Sequence, residues 1–225
     1  MSTLIVTRTE SGISHSFQEQ PLLGEGDTVV DVQFSSLNYK DAMALEGDKG
    51  VMRIDPLVPG IDVVGTVAET SDSRLNPGQL VVACGDGLGE FRHGGYTTRQ
   101  RVNAEATIPV PQRFSAHDAA AIGTAGYTAA ICVNQLRAHG TTQGHILVTG
   151  ATGGVGSVAV QLLKSAGYEV TAVTGRVDSQ SDYLTALGAD HVLDRAALSE
   201  TGRPLQKALY DGAIDTAGST VLANV

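Results

Sequence analysis

His145-Ile146-Leu147-Val148-Thr149-Gly150-Ala151-Thr152-Gly153-Gly154-Val155-Gly156 reads as a short apolar strand, a glycine turn and the start of a helix. The helix continues through Ala159, Leu162, Leu163 and Ala166, which share one face with Val155 at helical spacing. Glycines in such a turn let the backbone approach an anion closely. The free N–H groups of the first helical turn then face that anion. This is the physical recipe for a dinucleotide pyrophosphate site. The usual spacing is Gly-x-Gly-x-x-Gly; Ala151 takes its first place, and Gly153 and Gly156 hold the other two. A plain tight turn would use the same glycines. The strand before the turn and the further strand after its helix favour the nucleotide site.

Downstream, the alternation continues. Glu169 to Val173 is a second strand, Ser179 to Leu187 a helix stopped by Gly188, His191 to Leu193 a third strand, and Ala213 to Thr216 a fourth. Strands alternating with helices mean right-handed βαβ units and a parallel sheet. A doubly wound dinucleotide sheet usually has six strands. Four are readable before Leu222-Ala223-Asn224-Val225, which itself reads as the start of a helix. The expectation is a partial sheet, short of its fold by two βα units of ~30 residues each.

Upstream, Thr3 to about Val110 reads as β-rich. Leu4-Ile5-Val6 is apolar. Thr28 to Phe34 alternates, with Val30, Val32 and Phe34 on one face and Val29, Asp31 and Gln33 on the other. Asp62 to Glu69, Leu80 to Val82, Gly94 to Val102 and Thr107 to Val110 are further strand candidates, punctuated by Gly and Pro. Many short strands suggest a small barrel or sandwich. Tyr39 to Leu45 reads as one or two helical turns. After Pro111 the character changes: Ser115 is a helix N-cap served by Asp118, Gly123 to Gly126 break that helix, and a second covers Tyr127 to Leu136. Two domains are expected, residues 1–122 and 123–225.

The 225 residues are 42% hydrophobic, enough for a sizeable core in one or two domains. The net charge of −9 argues against nucleic acid, whose binding needs clustered cations. No apolar run reaches membrane-spanning length and no basic-then-apolar leader opens the chain, so the expected compartment is the cytoplasm. Cys84 and Cys132 lie far apart and read as buried free thiols.

The tip of the second strand chooses between cofactors. NAD-binding folds carry an acid there to hold the ribose hydroxyls. Here the strand runs into Thr174-Gly175-Arg176, and the next acid is Asp178 in the loop. A hydroxyl donor, a residue without a side chain and a guanidinium suit a 2′-phosphate, so NADPH is expected. Other chemistries fit less well. Gly156 is followed by Ser157-Val158, so no Lys closes a P-loop. There is no Tyr-x-x-x-Lys pair and no Gly-x-Ser-x-Gly elbow. The six histidines form no pair with a carboxylate or cysteine at metal-ligand spacing along the chain.

Taken together, a β-rich part, helices, then Gly150 to Gly156 resemble the medium-chain dehydrogenase/reductase superfamily. Ser36-Leu37-Asn38-Tyr39-Lys40-Asp41-Ala42 with Val58-Pro59-Gly60-Ile61-Asp62 is similar to its zinc-free quinone-oxidoreductase branch. Within it, Gly94-Gly95-Tyr96, Ala121 to Gly126, Thr174-Gly175-Arg176 and Ile214-Asp215-Thr216 resemble the NADPH-dependent acrylyl-CoA reductase group. The resemblance implies an α/β protein with a GroES-like catalytic domain followed by a Rossmann cofactor domain. Zinc members carry Gly-His-Glu where this chain has Gly60-Ile61-Asp62, and their structural lobe needs four cysteines where this chain has 2. Both of those metal sites are excluded by ligand count.

The implied activity is hydride transfer from NADPH to the activated C=C of an α,β-unsaturated thioester, acryloyl-CoA to propionyl-CoA. Quinone reduction and non-catalytic NADPH binding are the alternatives. The resemblance places Asn38 and Tyr39 beside the nicotinamide as catalytic residues, with Tyr39 orienting the ring or supplying the proton. It assigns the pyrophosphate to Thr152, Gly153, Gly154, Val155 and Gly156. Thr174, Gly175 and Arg176 would hold the adenosine phosphate, with Arg195 adding a contact. The partners implied are a small acyl-CoA or quinone substrate, no nucleic acid or membrane, and a homodimer for a full-length chain. The family often has Trp in the loop matching Gly85 to Gly95; here Asp86 and Phe91-Arg92 stand there, so substrate contacts are expected to differ.

Overall fold

The computed structural model describes residues 2–200, 202 and 207–225. The chain divides into two compact units, Met1–Thr124 and Ala125–Val225. The boundary expected after residue 122 lies one residue before a break at Gly123 in the helical segment α2 (Ala116–Ala138), where φ is 45° and ψ is −157°. The break is narrower than expected: helix resumes at once, and Gly126 lies within it.

The first unit contains β1 (Thr3–Thr9), β2 (Gly12–Gln18), β3 (Thr28–Phe34), α1 (Tyr39–Leu45), β4 (Asp62–Thr70), β5 (Leu80–Cys84), β6 (Arg99–Val102) and β7 (Thr107–Pro109). Five strands form an antiparallel sheet in the order β6-β3-β4-β5-β7, and β1 and β2 form a separate hairpin. Strand β4 is central and buried on both faces, so it reads as a continuous β-branched run. Its Val63 and Val67 pack with Val30, Val81, Leu88 and Val102, while Val64 packs with Ala119 and Ala120 at the start of α2. A third cluster, Val6, Ala44, Met52 and Leu57, lies under α1. As expected, Ser115 and Asp118 exchange hydrogen bonds at the α2 N-terminus, with Asp118 N–H donating to Ser115 Oγ at 3.1 Å.

Three expectations need correction. Val29 and Val30 are both buried and Phe34 is 42% exposed, against simple alternation. Register shifts at Val29/Val30 and Val32/Phe34 rotate the strand at each point. Residues 94–98 are not strand. A Cβ on Gly94 would lie 2.1 Å from the Gly60 carbonyl oxygen, so this stretch lies across the Pro59-Gly60 backbone. And β2 was unforeseen: its GISHSFQ sequence is largely exposed, with Ile13 packed against the cluster under α1, and its pairing with β1 makes it a strand.

The second unit holds β8 (His145–Val148), α3 (Gly154–Ser165), β9 (Glu169–Thr174), α4 (Val177–Leu187), β10 (His191–Asp194), β11 (Gly212–Ile214) and α5 (Ser219–Ala223). Its sheet is parallel throughout, in the order β10-β9-β8-β11. The order reverses between β8 and β11, so the turn after β8 sits at the switch point where open α/β sheets bind ligands. Ile146, Val148, Val170 and Ala172 pack against Ala159, Val160 and Leu163 of α3, Leu184 of α4 and Ala129 and Val133 of α2. Gly188 ends α4 at φ 109°, the left-handed cap its type favours. Both cysteines are free but half-buried rather than buried. Among the described residues no helix is long and apolar enough to cross a membrane.

Candidate functional site

In the second unit, β8 delivers the chain into the glycine turn. Ala151 is buried, and its N–H donates to Val173 O at 3.1 Å, tying the turn to β9. Gly153 caps α3 in an extended conformation, and its N–H closes the turn on Gly150 O at 2.9 Å. The N–H groups of the first turn, starting with Gly154, Val155 and Gly156, have no partner within the helix and point out of its end. Gly156 packs directly on the turn backbone: a Cβ there would lie 2.4 Å from Gly150 O and 2.7 Å from Ala151 Cα. Gly153 and Gly154 are exposed, as a backbone anion cradle requires. Behind the turn, Thr149 Oγ1 donates to Asp215 Oδ1 at 2.5 Å and accepts the Thr216 N–H at 2.9 Å, locking the ends of β8 and β11 together.

At the tip of β9, Thr174 is buried and its hydroxyl accepts the Arg176 N–H at 3.2 Å. The Arg176 guanidinium donates to Thr152 Oγ1 at 2.9 Å, joining the tip to the glycine turn. Arg195, at the start of the 3-10 turn after β10, lies over Gly175: a Cβ on Gly175 would come 2.9 Å from its Nη2. Thr152, Thr174, Gly175, Arg176 and Arg195 therefore converge on one spot. Two exposed guanidiniums stand where an NAD site has an acid. This arrangement fits the extra phosphate of NADPH.

In the first unit, Asn38 precedes α1 and Tyr39 opens it. Asn38 N–H donates to Asp41 Oδ2 at 2.8 Å, and its side-chain Nδ2 donates to Asp62 Oδ2 at 3.0 Å. Asp62 is fully buried and also accepts from the Thr124 N–H at 3.1 Å and the Thr124 hydroxyl at 2.6 Å. Asp41, equally buried, accepts the Ile61 N–H at 2.9 Å. Burial pushes the Asp41 carboxyl above the usual carboxylate range, and hydrogen bonds from Asn38 and Ile61 pull the other way. The Tyr96 phenol is raised by its burial and by the neighbouring Asp41 charge; the Cys84 thiol is raised by burial and by Asp62. Neither ionises near neutrality, so Cys84 is not a thiolate nucleophile. Tyr39, by contrast, is 85% exposed. A rigid buried frame thus holds Asn38 and presents Tyr39 outward.

The sequence reading did not single out Asp41 and Asp62 as parts of this frame. Their signals were the Asn38–Asp41 spacing of a helix N-terminus and the acid in Gly60-Ile61-Asp62. In the Gly85 to Gly95 loop, Asp86 is committed to structure: it accepts from Asn103 Nδ2 at 2.8 Å and faces Arg92. Spacing along the chain also hid a cluster in the second unit. The ligating atoms of His145, Glu169 and His191 all lie within 4.8 Å of one another.

Residues 24–112 match the alcohol dehydrogenase GroES-like domain family, and residues 154–225 match the zinc-binding dehydrogenase family. The whole chain is 45% identical to a probable acrylyl-CoA reductase (AcuI) of Escherichia coli K12 and 43% identical to an acrylyl-CoA reductase (AcuI) of Ruegeria pomeroyi. It spans 70% of the length of each. The crystal structure of the yhdH oxidoreductase from Salmonella enterica in complex with NADP superposes with a TM-score of 0.93 at 45% identity, covering 99% of this chain and 69% of that one.

Proposed function

We propose that this chain, which belongs to the medium-chain dehydrogenase/reductase family, is an NADPH-dependent reductase of the C=C bond of an α,β-unsaturated thioester, acryloyl-CoA before others. The observation that carries the cofactor choice is the pair of guanidiniums, Arg176 and Arg195, around Gly175 with no acid at the strand tip. The acrylyl-CoA reductases at 43% and 45% identity over the whole chain support the substrate class.

The residues divide the work as follows. The first-turn N–H groups after Gly153 hold the pyrophosphate, with Thr152 beside them. Arg176, Arg195 and Thr174 hold the 2′-phosphate. When bound, NADPH supplies the hydride that adds to the β-carbon of the acceptor. Reduction places negative charge on the thioester oxygen, and an N–H donor there lowers the barrier. Asn38 has two amide hydrogens, and Asp62 engages Nδ2 through one of them. The second serves as that donor, in an orientation fixed by the buried carboxylate. Tyr39, exposed and anchored on the same helix end, supplies the proton taken by the α-carbon. With Ile61-Asp62 in place of the zinc ligands of other members, the polarised alkene is reduced without a Lewis acid. The reading carries a cytoplasmic location and small-molecule partners, without nucleic acid or membrane.

The test is loss of NADPH absorbance with acryloyl-CoA compared with a simple quinone. Thioester turnover exceeding quinone turnover is expected. Quinone turnover alone would overturn the substrate assignment, and cofactor binding with no turnover of any acceptor would overturn the enzyme reading.

A further inference from the structure

We propose that His145, Glu169 and His191 form a binding site for a divalent transition-metal ion of the zinc type, at the N-terminal edge of the parallel sheet. Each is the first residue of its strand: His145 of β8, Glu169 of β9 and His191 of β10. Register aligns His145 with Glu169, and His191 with Thr171, two residues beyond Glu169. Side chains two apart on a strand share a face, so all three project from the same side of three adjacent strands. Their ligating atoms lie within 4.8 Å of one another, and His191 Nε2 is already 2.8 Å from Glu169 Oε1. A tetrahedral zinc ion with bonds of ~2.0–2.1 Å needs ligand atoms roughly 3.3 Å apart. Side-chain rotation covers the difference while the strands stay where they are.

The surroundings have the form of a ligand site. His145 Nε2 is 2.7 Å from Thr171 Oγ1, an outer partner of the sort that fixes a metal-bound imidazole through its other nitrogen. The Tyr210 ring meets the His145 ring edge-on with centroids 4.9 Å apart, and Asp211 Oδ2 accepts the His145 N–H at 2.8 Å. The Glu169 and His191 side chains are about half exposed, at 52% and 55%, so an ion enters directly from solvent. Two imidazoles and one carboxylate select zinc-type ions over magnesium or calcium, which prefer all-oxygen ligands. A fourth position is left for water. The bound ion would clamp three strands at the ends opposite the glycine turn, and takes no part in the hydride chemistry.

Calorimetric titration of the chelator-stripped full chain with ZnCl2, and the visible spectrum after Co2+ addition, test the site. One saturating ion per chain is expected, with d–d bands of a low-coordinate Co2+ centre. His191→Gln and Glu169→Gln, both at exposed positions, should each weaken binding by at least about tenfold, and Thr171→Val by about tenfold. NADPH affinity should stay unchanged and confirms that the variants are folded. Absence of saturable binding at micromolar zinc, or equal affinity in wild type and both ligand variants, would overturn the site.

Discussion

A Cβ at position 175 would lie 2.9 Å from Arg195 Nη2 and 3.0 Å from its Cζ. The missing side chain is what lets that guanidinium lie across the tip of β9. Arg176 approaches from the other side through Thr152, so its charge is held near the glycine turn rather than spread into solvent. Hydrogen bonds between charged partners contribute about 1.5–3 kcal/mol. Arg176→Ala should therefore weaken NADPH by about 10- to 100-fold while leaving NADH within about twofold, as read by cofactor fluorescence titration. Equal weakening of both would remove Arg176 from the 2′-phosphate site. Thr174, Gly175 and Arg176 were legible in the sequence because they are consecutive and follow a strand. Arg195 entered only through the family resemblance, since its place over Gly175 depends on β10 lying beside β9.

Single elements show where sequence patterns carry information and where they do not. Strand β4 and helices α1, α3 and α4 follow from their apolar spacing and caps, because local packing and pattern agree. Strand β2 escapes notice because it is largely exposed and its hydrogen bonding to β1 makes it a strand. Strand β3 defeats simple alternation because two register shifts turn its side chains. The frame around Asn38 escaped for a related reason: Asp62 opens β4, yet it holds the N-terminus of α1 and the residue after the α2 break. That joining of elements yields a prediction. Every partner of the Asp62 carboxylate described above is a donor, so Asp62→Asn sets an NH2 among donors and costs about 1–3 kcal/mol of stability. If Asp62 acts through Asn38, kcat should fall while KM for NADPH holds, and adding Asn38→Ala should lower kcat little further. A drop in melting temperature with kcat intact would reduce Asp62 to a purely structural role.

At the scale of the whole molecule, each of the two compact units carries its own core. The second unit carries both proposed ligand sites, at opposite ends of the same strands. Strand β8, His145–Val148, alone puts three extended steps, roughly 10 Å at ~3.3 Å per residue, between His145 and the start of the turn. The glycine turn and the His145, Glu169, His191 cluster share strands but no residue. Sites separated by more than ~7–10 Å with no common partner are energetically independent to within about 0.3–0.5 kcal/mol. Each ligand at 100 times its Kd should add ~2.7 kcal/mol to folded-state stability, and both together about twice that. Zinc should then change the NADPH Kd by no more than about twofold, and by reciprocity NADPH should change the zinc Kd by the same small factor. Calorimetry of each ligand with and without the other measures both numbers. A tenfold mutual effect, ~1.4 kcal/mol, would mean that clamping the strand starts repositions the turn at their far ends. The sheet would then be a coupling element between the two sites, rather than a rigid support that merely carries both.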